Sequence, residues 1–287
     1  MKGLLRHPAA IFGLAMLALL VAAAASAGLA ERVLGIDAET LDLAAQLAGP
    51  SAAHPLGTDE VGRDLLLRLL RGGQVSLAVG LMTALVAAVI GTAVGLAAGY
   101  LGGLADALLM RFTDGVIALP LLIILGAVDP AKLGLPPDLF HSELAGLARI
   151  VVIIALVGWT TVARLVRAAT LAVKVQDFVR AAEALGARPL RVMTVHILPN
   201  VASPVIVAAT LSVGNIILLE SALSFLGLGV QPPMPSWGNM LSTALDQMYT
   251  APALAIWPGL LIFLTVLSFN LVGDGLQERL DPRAGRD

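Results

Sequence analysis

Residues Ser76–Tyr100 read SLAVGLMTALVAAVIGTAVGLAAGY, inside a charge-free window that extends from Gly72 to Ala105. A helix needs about 20 predominantly apolar residues to cross the hydrocarbon core of a bilayer. In lipid every backbone N–H and C=O must find its partner inside the protein, which a helix provides within one segment. The stretch therefore reads as a transmembrane helix; it is too long for one barrel strand and lacks the apolar/polar alternation of one. Three more windows are of the same kind: Pro8–Ala30, Val201–Leu219 and Pro252–Val272. Two weaker windows complete the set. Phe112–Val128 carries Asp114 near its start, and Leu147–Arg167 carries Arg149 and Arg164 near its ends, where long side chains can reach the interface. The expected architecture is all-α and polytopic, with six transmembrane helices.

The composition of the whole chain agrees. Of its 287 residues, 58% are hydrophobic and 13% charged, against about 25% charged in soluble domains, and the mean hydropathy is +0.90. A soluble enzyme of this size needs more polar side chains for its outer layer. A net charge of −2 with no basic stripe excludes a nucleic-acid partner. The chain has no cysteine, so disulfides, thiolate metal sites and cysteine nucleophiles are excluded. His7, His54, His141 and His196 are scattered without metal-ligand spacing. There is no G-x-x-x-x-G-K-[ST] phosphate loop, and the lysines are Lys2, Lys132 and Lys174 alone. An intramembrane enzyme would need paired acids, or serine with histidine, at membrane depth. An ion-coupled secondary transporter, the rival among transport functions, would need a midplane ion site, often within inverted repeats; no internal repeat is evident.

Six spans place both termini on one side. If that side is the cytoplasm, Lys2, Arg6, Arg111, Arg164, Arg167, Lys174, Arg180, Arg188, Arg191, Arg279, Arg283 and Arg286 lie inside, against Arg32, Arg63, Arg68, Arg71, Lys132 and Arg149 outside. The excess supports that orientation in the cytoplasmic membrane, with the cluster Arg63–Arg71 as the exception. Lys2 and Arg6, followed by an apolar run ending in Ala25-Ser26-Ala27, also resemble a signal peptide, but the run from Pro8 is long for one. The chain then divides into a first span with a short N-terminus (1–30), an external segment with an interfacial helix (31–75), a core of five spans (76–273) and a cytoplasmic tail (274–287).

Within this frame Thr58–Gly72 reads as a short interfacial helix, capped by Thr58, with Asp64 and Arg68 paired one turn apart and Gly72 at its C′ position. Gly91, Gly95 and Gly99 line one helix face, where another backbone can approach closely. They suit tight internal packing, or a helix that slides against a neighbour during gating. Asp114 and Glu220 are the intramembrane acids. Both lie near span ends with no cationic partner at their depth, which suits a structural or gating role better than a coupling-ion site.

The long loop Ala168–Asn200 is polar and basic. Asp177 is the expected N-cap of a helix through Leu185, Gly186 ends it in the left-handed conformation, and Pro189 opens a second short helix to about His196. Pro199 is expected to stop that helix before the next span. The loop thus reads helix, bend, helix, presenting Phe178 and Val179 outward as a docking surface.

These residues carry a resemblance. Arg180-Ala181-Ala182-Glu183-Ala184-Leu185-Gly186, followed by His196-Ile197-Leu198-Pro199-Asn200, resembles the EAA signature of ABC importer permeases, with Ala181, Ala182, Gly186, Leu198 and Pro199 in register. The segments His54–Asp64, Ala98–Gly103, Ser224–Pro233, Pro235–Gly238 and Phe269–Leu276 with Leu280-Asp281-Pro282 are similar to the dipeptide/oligopeptide/nickel permeases, most of all their C-type subunit. Arg180 stands where the signature has glutamate, and Glu183 one turn on is its expected partner. The resemblance implies a type I importer permease fold. It also implies pairing with a homologous permease as a heterodimer, two cytoplasmic ATPases that hold ATP and Mg and grip the EAA loops, and an extracytoplasmic substrate-binding protein. This chain itself would bind no cofactor, and its surroundings would be membrane lipid. Di- or oligopeptides are the implied substrates, with nickel or another small solute as the alternative.

Overall fold

The computed structural model describes residues 7–120 and 143–280. Its elements are α1 (Pro8–Ala25), α2 (Ala27–Leu34), α3 (Leu65–Leu101), α4 (Gly103–Ala118), α5 (Glu143–Lys174), α6 (Asp177–Ala184), α7 (Pro189–Arg191), a π-helical turn (Val192–Ile197), α8 (Leu198–Phe225), α9 (Trp237–Ala244) and α10 (Ala253–Leu280). Among the described residues no strand is present, only an isolated bridge between Thr58 and Asp64. Five stretches are long and apolar enough to cross a membrane: α1, α3, α5, the continuous helix Pro189–Phe225, and α10.

The glycine seam fixes how these helices run. A Cβ on Gly91 would stand 2.6 Å from Val162 Cβ, one on Gly95 2.7 Å from Val166 Cβ, and one on Gly99 2.7 Å from Thr170 Cβ. Residue numbers rise together along both helices, so α3 and α5 are parallel, and a crossing must return the chain between them. α4 begins it: Asp106 pairs with Arg167, whereas Asp114 farther along pairs with Arg164 and Phe112 stacks on Trp159, so α4 descends along α5. Its 16 residues span about 24 Å, short of the roughly 30 Å core. The far part of the expected Phe112–Val128 span lies outside the described residues. Among the described residues α1, α3, α5, the helix ending in α8, and α10 are long enough to cross, and α4 begins the sixth crossing that the sequence leads one to expect.

The ends of the bundle follow from three contacts. Gln74 donates to the Ala24 carbonyl at 2.8 Å, so α1 ends where α3 begins. Lys174 donates to the Tyr100 carbonyl, joining the far ends of α3 and α5. His7 Nε2 lies 3.2 Å from Glu278 Oε2, bringing the start of α1 to the end of α10. Both ends of the described chain and the α6–α7 bend therefore share one side, and residues 35–64 and α9 share the other.

The expected interfacial helix Thr58–Gly72 does not form. Residues 58–64 instead make a compact knot, and Asp64 caps α3 by accepting from the Leu67 N–H at 2.8 Å. Thr58 accepts from the Ala48 N–H at 2.8 Å and donates to the Ala45 carbonyl. Asp64 pairs with His54 at 3.0 Å rather than with Arg68, which turns to Asp59 at 3.4 Å. Gly62 makes the knot possible: its φ is +80°, and a Cβ there would collide with the Asp42 carbonyl. Gly72 sits inside α3, packed on Trp237, because the apolar run downstream lets the helix continue without a stop. The cluster Arg63–Arg71, the exception in the positive-inside count, is neutralised locally, Arg63 by Asp59 and Glu60, Arg68 by Asp59, and Arg71 by Glu31.

Candidate functional site

The helix–bend–helix after α5 is largely exposed along residues 177–191. Gln176, not Asp177, is the N-cap of α6; Asp177 occupies the first turn, where its charge suits the positive end of the helix. The end follows the sequence closely. Gly186 has φ +79°, its N–H bonds the Glu183 carbonyl at 2.9 Å, and the Ala187 N–H bonds the Ala182 carbonyl at 3.1 Å. These two bonds are the Schellman closure. Pro189 takes the first position of α7, as expected.

One face of α6 is anchored. Val179 is 0% exposed and Ala182 8%. Val179 shares a core cluster with Leu96 and Tyr100 of α3, Val162 and Val166 of α5, Val192 and Ile197 of the π turn, and Val201 of α8. The expectation that Val179 points outward is thus corrected: at one helical turn from Ala182 it shares the buried face. Phe178, Arg180, Ala181 and Glu183 are exposed, as are Leu185 and Leu190 beyond them. The expected ion pair is not formed: among the described residues no salt bridge involves Arg180 or Glu183. His196 is half-buried in the π turn, and Leu198 and Pro199 open α8. Pro199 does not stop the helix, because the wide turn before it absorbs the missing N–H.

The two intramembrane acids part company. Asp114 does have a cationic partner, Arg164 at 2.6 Å, and both are well exposed. Glu220 is fully buried. Its carboxylate accepts from Ser224 Oγ at 2.7 Å, Ser76 Oγ at 3.2 Å and Ser221 Oγ at 3.4 Å. Ser76 in turn accepts from the Trp237 N–H at 3.2 Å, and Ser224 from the Val230 N–H at 3.0 Å. Glu220 thereby ties α3, α8, the 226–236 loop and α9 together far from the bend. Ser221 and Ser224 stand on its own helix and are a local signal; Ser76 is 144 positions away and gives none.

At the glycine seam, Gly91 and Gly95 would place a Cβ 2.6 Å and 2.5 Å from the carbonyls of Trp159 and Ala163. The backbones of α3 and α5 touch here, which is the tight internal packing the spacing allows.

Comparison with known proteins agrees with this architecture. Residues 91–286 match the family model described as the binding-protein-dependent transport system inner membrane component. A glutathione transport system permease protein GsiD of Pectobacterium atrosepticum is 42% identical over 235 residues, covering 82% of this chain and 74% of the relative. The proteins of the same name from Shigella flexneri and Escherichia coli are 44% and 43% identical over equal shares. The chain belongs to the inner-membrane permease components of binding-protein-dependent ABC transport systems.

Proposed function

We propose that this chain forms one half of the membrane pathway of an ATP-driven importer of short peptides of the glutathione class, and that α6 and the bend after it seat an ATPase subunit. The observation that carries the reading is the double character of α6. Its buried face, Val179 and Ala182, belongs to the same packed cluster as α3, α5 and α8, and its other face is free. A force on the free face is delivered to three spans at once, because a close-packed cluster transmits displacement rather than absorbing it. The chain carries no phosphate loop of its own, so ATP and Mg are held by partner subunits. The relatives' names support a peptide-like solute. The excess of Lys and Arg on the side of the bend supports a cytoplasmic position for it and for both termini. A homologous permease completes the pathway, and an extracytoplasmic binding protein delivers the solute to the side that carries α9.

The test is purification of the tagged chain with its associated subunits, followed by reconstitution into proteoliposomes. ATP-dependent uptake of radiolabelled glutathione, requiring the binding protein, is the expected result. Ion-gradient-driven uptake by the chain alone would overturn the reading.

A further inference from the structure

The segment between the bend and α8 is not an ordinary helix. Residues Val192–Ile197 form a π turn inside the otherwise continuous helix Pro189–Phe225, and the Leu198 N–H bonds the Met193 carbonyl, five residues back. Such turns carry one extra residue and recur at functional positions. Here the sequence suits it. In α register Pro199 would have to donate to the Val195 carbonyl; it has no N–H, and its ring would clash there. Two side chains serve the displaced backbone: Asn200 Nδ2 donates to the His196 carbonyl at 2.7 Å, and Thr194 Oγ1 to the Leu190 carbonyl at 2.8 Å.

The packing shows the same register. Val192, Ile197 and Val201 are each 0% exposed. In an α-helix, residues five apart point about 140° away from each other, so Val192 and Ile197 could not both face the core. The wide turn brings them to one side, in the cluster that also holds Val179 of α6.

We propose that this π turn is the pivot at which motion of α6 is passed to α8, with Pro199 and Asn200 as the positioning residues that hold it open; this rests on the reading of α6 as the ATPase seat. On this proposal the turn exchanges between the wide form and an α-like one, with Thr194 and Asn200 serving the carbonyls of the wide form. A bistable element of that kind is what a coupled motion requires. α8 then carries the movement across the membrane to the Glu220 tie and α9.

The test uses the full assembly, with its ATPases, partner permease and binding protein. Spin labels at Leu185→Cys on the bend and Tyr249→Cys beyond α9 exploit a chain without native cysteine, and both positions are well exposed. Their separation is read nucleotide-free and with ATP–vanadate. Deleting Thr194 converts the spacing of Val192 and Ile197 from five to four, so both stay on the core side of a plain α-helix. Pro199→Ala with Asn200→Ala is the second variant, and it leaves every buried side chain in place. The parent assembly is expected to show a nucleotide-dependent change in separation. Both variants are expected to retain their ATPases while that change falls to about half or less. A change as large as the parent's in either assembled variant, or no change in a parent that holds its ATPases, overturns the pivot. Failure of the parent to hold ATPases at all overturns the ATPase-seat reading instead.

Discussion

The glycine seam gives a prediction whose sign is set by the structure. At Gly95 an added Cβ would stand 2.5 Å from the Ala163 carbonyl oxygen, 2.7 Å from Val166 Cβ and 3.0 Å from the Arg167 nitrogen. Two of the three are backbone atoms and cannot rotate away. Ordinary contact begins near 3.5 Å, so Gly95→Ala requires α3 and α5 to part by about 1 Å at the centre of their seam. Overpacking of this kind costs about 1–3 kcal/mol, against a helix-propensity gain of about 1 kcal/mol for alanine over glycine. Gly115, in α4, has nothing among the described residues within 4 Å of the same added carbon, so Gly115→Ala is expected to show the gain. With the gain subtracted, Gly95→Ala costs up to about 2 kcal/mol, so the thermal midpoint of the detergent-purified chain should fall by up to a few degrees there and rise by a few degrees for Gly115→Ala. Intrinsic fluorescence is a suitable probe, since Trp159 sits in the seam. A midpoint raised by Gly95→Ala as much as by Gly115→Ala would refute the close approach of these backbones.

Three further substitutions probe the other ties. Glu220→Ala leaves the hydroxyls of Ser76 and Ser224 without their acceptor inside the bundle, and a loss of about 3 kcal/mol in thermal stability is expected; Glu220→Gln, which keeps an oxygen and the volume, should lose less. Asp59→Asn keeps an acceptor for the N–H groups of Val61 and Arg63 but leaves the 4%-exposed Arg68 without its counter-charge. Proteolysis of the knot around residues 58–64 should accelerate, for a cost of about 3 kcal/mol. Gly186→Val places a β-branched residue at φ +79° with nothing within 4 Å among the described residues, so the expected cost is backbone strain of about 1–2 kcal/mol. ATPase recovery in pull-downs should fall for valine and persist for Gly186→Asn, which tolerates that conformation.

The spans and the bend were legible because their signals are local. Charge-free windows mark helices in lipid whatever they pack against, and Gly186 and Pro189 impose their dihedrals wherever they stand. What escaped the sequence depends on partners far along the chain. Asp64 and Arg68 look like a pair at helical spacing, yet each has a better partner, His54 and Asp59, supplied by a loop whose path no periodicity reveals. Glu220 lies close to the end of its window but is covered by Ser76 and α9. Val179 faces inward, and a short polar helix shows which face it buries only once α3, α5 and α8 are packed behind it. The extra residue in the π turn breaks the 3.6-residue period that would have shown Val192 and Ile197 on one side. The family resemblance reached the same loop by its motif and names neither the anchored face nor the wide turn.

The most direct test of the central claim is a disulfide or short bifunctional cross-link from Phe178→Cys to cysteines placed on the partner ATPase, in a chain that has none of its own. The account predicts a cross-link from Phe178, on the free face of α6, whose yield changes with nucleotide, and none from Val179→Cys, which is buried against the bundle. Absence of a Phe178 cross-link in every nucleotide state, in an assembly that still holds its ATPases, would contradict it.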